Sequence, residues 1–286
     1  MFDAHAHLQD PRLSGAADFL LARSVEAGIT GVGCCGTSPE DWEGVARWAG
    51  RALPFRLVPA FGIHPWFVES APPDWEKRLS DRLDTHPEAV IGEIGLDGLR
   101  REISREIQER ILIRHLEIAA ERGLPVVLHG ARAWERMLVL LRPFIPALPS
   151  LLLHGFGGSA EVLGQYRRMD AYFSIAGSVC NPLAKRVRAA VPLIPEGRLL
   201  VETDSPDLFP RGGDPVEGGS VPLNQPANLR LIIREVAALR GATEREIEAL
   251  TARNAERFFR SRPSRNRTVP LSSDTPSDGK SGRNPS

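Results

Sequence analysis

Five of the seven histidines in this 286-residue chain sit where a metal or a phosphate could be handled. His5 and His7 lie two apart in a short apolar run, and in a β-strand that spacing sends both imidazoles to one face. His64 in FGIHPW, His129 in PVVLHG and His154 in LLLHGF each follow or close a run of strand-forming residues. Two carboxylates join them. Glu93 lies inside VIGEIGLD, where an ionised side chain must be paired or metal-bound to be tolerated. Asp204 closes the last apolar run in LLVETDSP, with Glu202 two residues earlier on the same face. Singly, each has a plainer explanation: a hydrogen-bonded histidine at a strand end, a turn-forming aspartate before Ser205-Pro206, a Glu202 paired with an arginine. Together, four histidines with Glu93 and Asp204 supply six ligand-competent side chains, enough for two divalent metal ions sharing a carboxylate. Lysine occurs only at 77, 185 and 280, none at a strand end, so no carbamylated lysine can bridge and Glu93 is expected to do so. Two metals ~4 Å apart activate a water and stabilise charge on the attacked centre. His86 and His115, in loop or helical contexts, are expected to be structural.

Such side chains converge only if the elements beneath them alternate correctly. Strands are expected at Phe2–His7, Gly31–Cys35, Leu57–Phe61, Val90–Ile94, Pro125–His129, Leu151–His154, Ala171–Ile175 and Leu199–Glu202. Between them, Ala16–Glu26, Arg105–Arg122, Ala133–Arg142 and Ala160–Arg168 carry apolar residues at helical spacing, and Gly28 and Gly123 follow two of these as C-caps. Eight strand–helix units in about 260 residues match a single-domain (β/α)₈ TIM-type barrel, whose sites lie at the C-terminal ends of the strands. No GxGxxG follows the first strand, which argues against a doubly wound dinucleotide-binding sheet. The barrel is expected to span residues 1–260. Residues 261–286 are rich in Ser, Pro, Asn and Gly with almost no large apolar side chain, and are expected to be a disordered tail.

Thirty-six basic residues balance thirty-six acidic ones, so no global field draws the protein to nucleic acid; a local patch or metals must hold such a substrate. Three cysteines without a CxxC pair are read as reduced thiols. No stretch resembles a signal peptide or a membrane span, so a cytoplasmic protein, a monomer with no membrane partner, is expected.

The segments DAHAHL, FGIHPW, IGEIGLD, LPVVLHG, LLHGFGGS, YFSIAGSV and LLVETDSP, in this order over residues 2–207, resemble the TatD family of metal-dependent deoxyribonucleases. Asn224–Leu229 (NQPANL) and Thr251–Phe259 (TARNAERFF) extend the likeness. The resemblance implies a (β/α)₈ barrel and two divalent ions (Mg²⁺, Mn²⁺ or Zn²⁺), one on His5, His7, Glu93 and Asp204, the other on Glu93, His129 and His154. It also implies that Asp204 takes the proton from the attacking water, and that His64 contacts the scissile phosphate of DNA, the expected substrate. Three positions depart from the family pattern. Gly98 replaces an aromatic, leaving Arg100 or Arg101 to approach the phosphate; Ala131 stands where an arginine is usual; Leu112 and His115 replace Phe and Gln.

The expected function is therefore 3'-5' exonucleolytic hydrolysis of DNA, with Trp66 as a stacking face for a base unless it only packs on the barrel rim. The altered phosphate-side residues keep open hydrolysis of a small ester, amide or aminoacyl bond. A catalytically inactive partner-binding barrel is disfavoured, because six converging polar groups cost stability unless a metal satisfies them.

Overall fold

A computed structural model describes residues 1–216 and 221–262. Eight parallel strands follow one another around the sheet in chain order: β1 (Phe2–Ala6), β2 (Gly31–Cys35), β3 (Arg56–Phe61), β4 (Val90–Asp97), β5 (Val126–Ala131), β6 (Leu151–Leu153), β7 (Tyr172–Ile175) and β8 (Leu199–Val201). Helices α1 (Ala17–Glu26), α2 (Trp42–Ala49), α3 (Trp75–Thr85), α4 (Arg105–Arg122), α5 (Trp134–Leu141), α6 (Ala160–Arg167), α7 (Lys185–Ala190), α8 (Leu229–Arg240) and α9 (Glu244–Phe259) cover the outside. This is the (β/α)₈ barrel expected from the sequence. Most of the segment expected to be a disordered tail, from residue 263 on, lies outside the described residues.

The period-2 alternation divides each strand between two cores. Leu151 and Leu153 pack outward among the helices, whereas Leu152 turns inward with Val127 and Leu200. Those three inward residues lie two positions before His154, His129 and Glu202, so an apolar layer floors the polar mouth. Phe258 and Phe259 of α9 close the far end, with Phe259 stacked on Phe2 at 5.3 Å.

The seam between β1 and β8 is closed by a few bonds rather than a full ladder. Asp204 N donates to the His5 carbonyl (2.9 Å) and His7 N to the Ser205 carbonyl (2.6 Å). Deeper down, the buried Asp3 carboxylate accepts from Thr203 N (2.8 Å) and from the Thr203 hydroxyl (2.5 Å). These contacts hold Asp204, in the left-handed region at φ 55°, beside His5 and His7.

β4 runs three residues beyond its expected end at Ile94, pairing Gly95, Leu96 and Asp97 with His129, Gly130 and Ala131. Gly95 is what permits this. A Cβ there would stand 2.0 Å from the His129 carbonyl oxygen. Without a side chain at 95, the two strands approach closely enough to set Glu93 against the His129 imidazole.

A candidate metal centre at the barrel mouth

The six expected ligands converge at the C-terminal mouth, where all but the fully buried His5 line a cavity of about 720 Å³ that also takes in His64 and Trp66. Glu93, buried on β4, divides them. Its Oε2 faces His5 Nε2 (3.1 Å) and His7 Nε2 (3.5 Å). Its Oε1 faces His154 Nε2 (2.6 Å), His129 Nδ1 (3.0 Å) and His64 Nε2 (3.4 Å). On the first side, Asp204 Oδ1 lies 3.4 Å from His7 Nε2 and 3.6 Å from His5 Nε2, and the two Nε2 atoms are 3.1 Å apart.

These spacings suit a metal. Four ligands about 2.0–2.1 Å from a tetrahedral ion are separated by about 3.4 Å. The five first-side separations just given, 3.1–3.6 Å, cluster around that edge. Ring chemistry agrees. His7 Nδ1–H donates to the Cys35 carbonyl (2.7 Å), which turns Nε2 toward the centre as the atom available to a cation. On the second side, His129 Nδ1 and His154 Nε2 are 3.3 Å apart and share Glu93 Oε1. The donor set is rich in imidazole, which suits Zn²⁺ or Mn²⁺ as well as harder ions held by the carboxylates.

The local field is one that attracts cations. Burial would push the Glu93 carboxyl up, but the surrounding imidazoles, His154 foremost, outweigh it and hold it well below the usual range. Asp204 is likewise lowered, against its burial, by His7 and His5. Burial opposes charge on His7, yet Asp204 and Glu93 raise it to about 9. His154 is raised too, by Glu93 and Glu202 against burial. Protons and a divalent cation therefore compete for the same nitrogen atoms.

His64 differs. Its Nδ1 accepts a hydrogen bond from Trp66 N (3.2 Å), so the neutral ring carries its proton on Nε2. Burial lowers this imidazole to about 3 and keeps it neutral. Such a ring is a hydrogen-bond donor into the cavity, suited to an anionic oxygen rather than to a metal.

Behind the ligands stand carboxylates that the sequence reading missed or misplaced. Glu202 is fully buried and pairs with no arginine among the described residues; that expectation fails because the end of β8 points it at the histidine layer. Its Oε1 accepts from Gly155 N (2.5 Å) and lies 3.4 Å from His154 Nδ1, while its other oxygen accepts from the Ser174 hydroxyl. Asp97, nearly buried, lies 3.4 Å from His129 Nε2 and accepts from the Trp66 indole N–H (2.6 Å). It escaped notice because β4 was ended at Ile94; continued alternation from Glu93 would have placed it on the same face. Asp3, which latches the seam below His5, carried no signal beyond its place two residues before His5.

The rim is also defined. Trp66 is 45% exposed, and the Arg100 guanidinium lies 4.4 Å from its ring centroid. Neither Arg100 nor Arg101 lines the cavity; both are exposed, and Arg100 is the one that reaches the Trp66 ring. Gly98 has no room for the family's aromatic, since a Cβ would meet the Arg132 carbonyl oxygen at 2.8 Å. His115 is structural, as expected: buried on α4, it stacks on Trp75 at 4.4 Å and donates from Nδ1 to the Ile111 carbonyl (2.8 Å). His86 sits outside the site, with its ring tilted against Phe61. Among the described residues no helix is long and apolar enough to cross a membrane.

A parallel barrel with a histidine–carboxylate metal site at its C-terminal mouth defines a metal-dependent hydrolase. More specifically, the chain belongs to the TatD family: the family described as TatD related DNase matches residues 2–260. The 3'-5' ssDNA/RNA exonuclease TatD of Enterobacter lignolyticus is 34% identical over 260 residues, covering 91% of this chain and 98% of that protein. Its namesake in Dickeya dadantii is 34% identical over 261 residues, with the same coverage. Among solved structures, YJJV, a TatD homologue from Escherichia coli K12, superposes with a TM-score of 0.82 at 26% identity, covering 91% of this chain and 97% of that one.

Proposed function

We propose that this chain is a 3'-5' exonuclease acting on single-stranded nucleic acid, with two divalent ions held at the barrel mouth. The observation that carries this reading is the division of Glu93: one oxygen toward His5 and His7, the other toward His129 and His154. His5, His7, Glu93 and Asp204 would hold one ion, and Glu93, His129 and His154 the other. Bound there, the ions would supply an activated water and neutralise charge on the phosphate.

The remaining work falls to the protein's own groups. Asp204, ionised and beside both His5 and His7, accepts the proton of the attacking water. His64 donates its Nε2–H to a phosphate oxygen, worth most where charge develops in the transition state. Trp66 offers its exposed face to a base, and Arg100, stacked on the same indole, brings positive charge to the adjoining phosphate. Arg101 takes no part in this reading. The three free, buried cysteines fit a reducing compartment, and we place the enzyme in the cytoplasm.

The test is end-labelled single-stranded DNA and RNA of about twenty nucleotides, offered to the metal-loaded protein with metal content measured on the same sample. A 3'-to-5' ladder from a protein carrying about two ions is the expected result. Metal binding without cleavage of either polymer refutes the substrate.

A further inference from the structure

Asp97 does more than stand behind a ligand. It is fixed from several sides: Leu99 N donates to Oδ1 (2.7 Å), and the Gln108 side chain accepts from Asp97 N (2.8 Å) and donates to its carbonyl (3.3 Å). Its Oδ2 alone serves two groups of different function. One is the indole N–H of Trp66 at 2.6 Å; the other is His129 Nε2 at 3.4 Å. His129 turns its opposite nitrogen, Nδ1, to Glu93. A carboxylate at Nε2 keeps the ring proton there and leaves the Nδ1 lone pair for the centre. The same oxygen holds an indole that is 45% exposed, with the Arg100 guanidinium over its ring and the His64 ring edge-on at 5.0 Å.

We infer that Asp97 is a positioning residue that couples a nucleobase platform on Trp66 to the His129 ligand, so that divalent-cation binding and single-strand binding favour each other. The inference rests on the nucleic-acid reading above for the identity of the ligand. The physical chain is short. A cation on Nδ1 withdraws electron density from the ring and strengthens the Nε2–H donor. Asp97 is drawn toward His129, and the Trp66 indole, bonded to the same oxygen, is held in one orientation. A base can stack on that indole whatever its identity, since every base offers a π-face. Ordering the platform beforehand removes part of the entropy that binding would otherwise cost. Because the coupling is an equilibrium one, the strand must tighten the cation by the same factor.

The experiment uses the full chain, Zn²⁺ as the cation and a phosphorothioate-linked oligothymidine ten-mer that resists cleavage. Calorimetry gives the affinities, and ¹H–¹⁵N spectra follow the Trp66 indole resonance, identified by its loss in Trp66→Phe. In the wild type, Zn²⁺ shifts that resonance and tightens the oligothymidine by about five- to tenfold. In Asp97→Asn, Zn²⁺ weakens by about 10–100-fold at one site, and the resonance moves and stops responding. In Trp66→Phe, Zn²⁺ affinity without the strand stays within about twofold, while oligothymidine weakens and keeps only the smaller Zn²⁺ dependence that direct ion–phosphate attraction supplies. An Asp97→Asn protein that binds Zn²⁺ like wild type, with an unmoved indole resonance, overturns the inference. So does a Trp66→Phe protein whose strand binding keeps the full wild-type Zn²⁺ dependence, a result that decides the matter even if Asp97→Asn does not fold. A wild type that binds no oligothymidine while Asp97→Asn still loses Zn²⁺ refutes the nucleic-acid reading and leaves Asp97 positioning His129.

Discussion

Replacing Glu93 by Gln keeps the shape of the bridge and removes its charge, and the structure says how unequal the damage should be. On the first side a cation would retain His5, His7 and Asp204; on the second it would retain only His129 and His154. The amide also points a donor N–H₂ at nitrogen atoms that must themselves present lone pairs. Stoichiometry should therefore fall from about two ions to at most one, the second-side ion being lost first. The consequence for stability is calculable. An ion at a hundred times its dissociation constant stabilises the fold by about 2.7 kcal/mol, and a domain of this size gains about 2–4 °C in Tm per kcal/mol. Each wild-type site saturated to that degree should thus raise the melting temperature by about 5–10 °C. Scanning calorimetry with and without Zn²⁺, beside metal analysis, measures both quantities. Glu93→Gln should melt cooperatively, respond to Zn²⁺ by no more than one site's worth, and cut single-stranded DNA at least about 10³-fold more slowly, the scale on which one preorganised group matters. A variant that still binds two ions and keeps the full Zn²⁺ shift refutes the bridging role on which the site rests.

Other perturbations separate the roles. His64→Ala should lower kcat/KM for oligonucleotides by about 10²–10³-fold while leaving metal content at the wild-type value, since in the proposed reaction His64 donates to substrate; metal analysis and steady-state kinetics decide it. Glu202→Gln removes the negative charge facing His154 Nδ1 and should weaken Zn²⁺ by about 10–100-fold, read by competition with a chromogenic chelator. Far from the site, burial lowers the His115 imidazole from 6.5 to about 4. The folded state resists protonation there, so stability is fully present above pH 6.5 and falls as pH drops toward 4, by about 3 kcal/mol in all. His115→Phe, which keeps the stack on Trp75, should lose that much less between pH 7 and pH 4 in urea denaturation. Parallel curves for the two proteins would count against it.

The proposed metal ligands were legible because a strand's alternation is simple: a histidine at a strand end, two residues after an inward apolar side chain, lands in the mouth without further information. Leu152–His154 and Val127–His129 are instances. Legibility failed where partners come from different strands. Nothing local says that Glu202 meets His154 rather than an arginine, since that depends on β6, β7 and β8 lying side by side, which brings Gly155 and Ser174 to the same carboxylate. Asp97 was hidden for a related reason. Gly95, one residue past the expected strand end at Ile94, is of a type that usually weakens a strand. Here Gly95 instead allows a closer approach to β5, and the strand continues through Asp97. Trp66 shows the same dependence from the other direction: read alone it is a rim aromatic, and only the continued β4 supplies the carboxylate that fixes its indole. The residues that ligate can be found one strand at a time, whereas those that position them are fixed by the closure of the barrel. Variants at Asp97, Glu202 and Asp3 should therefore tune the centre without erasing it.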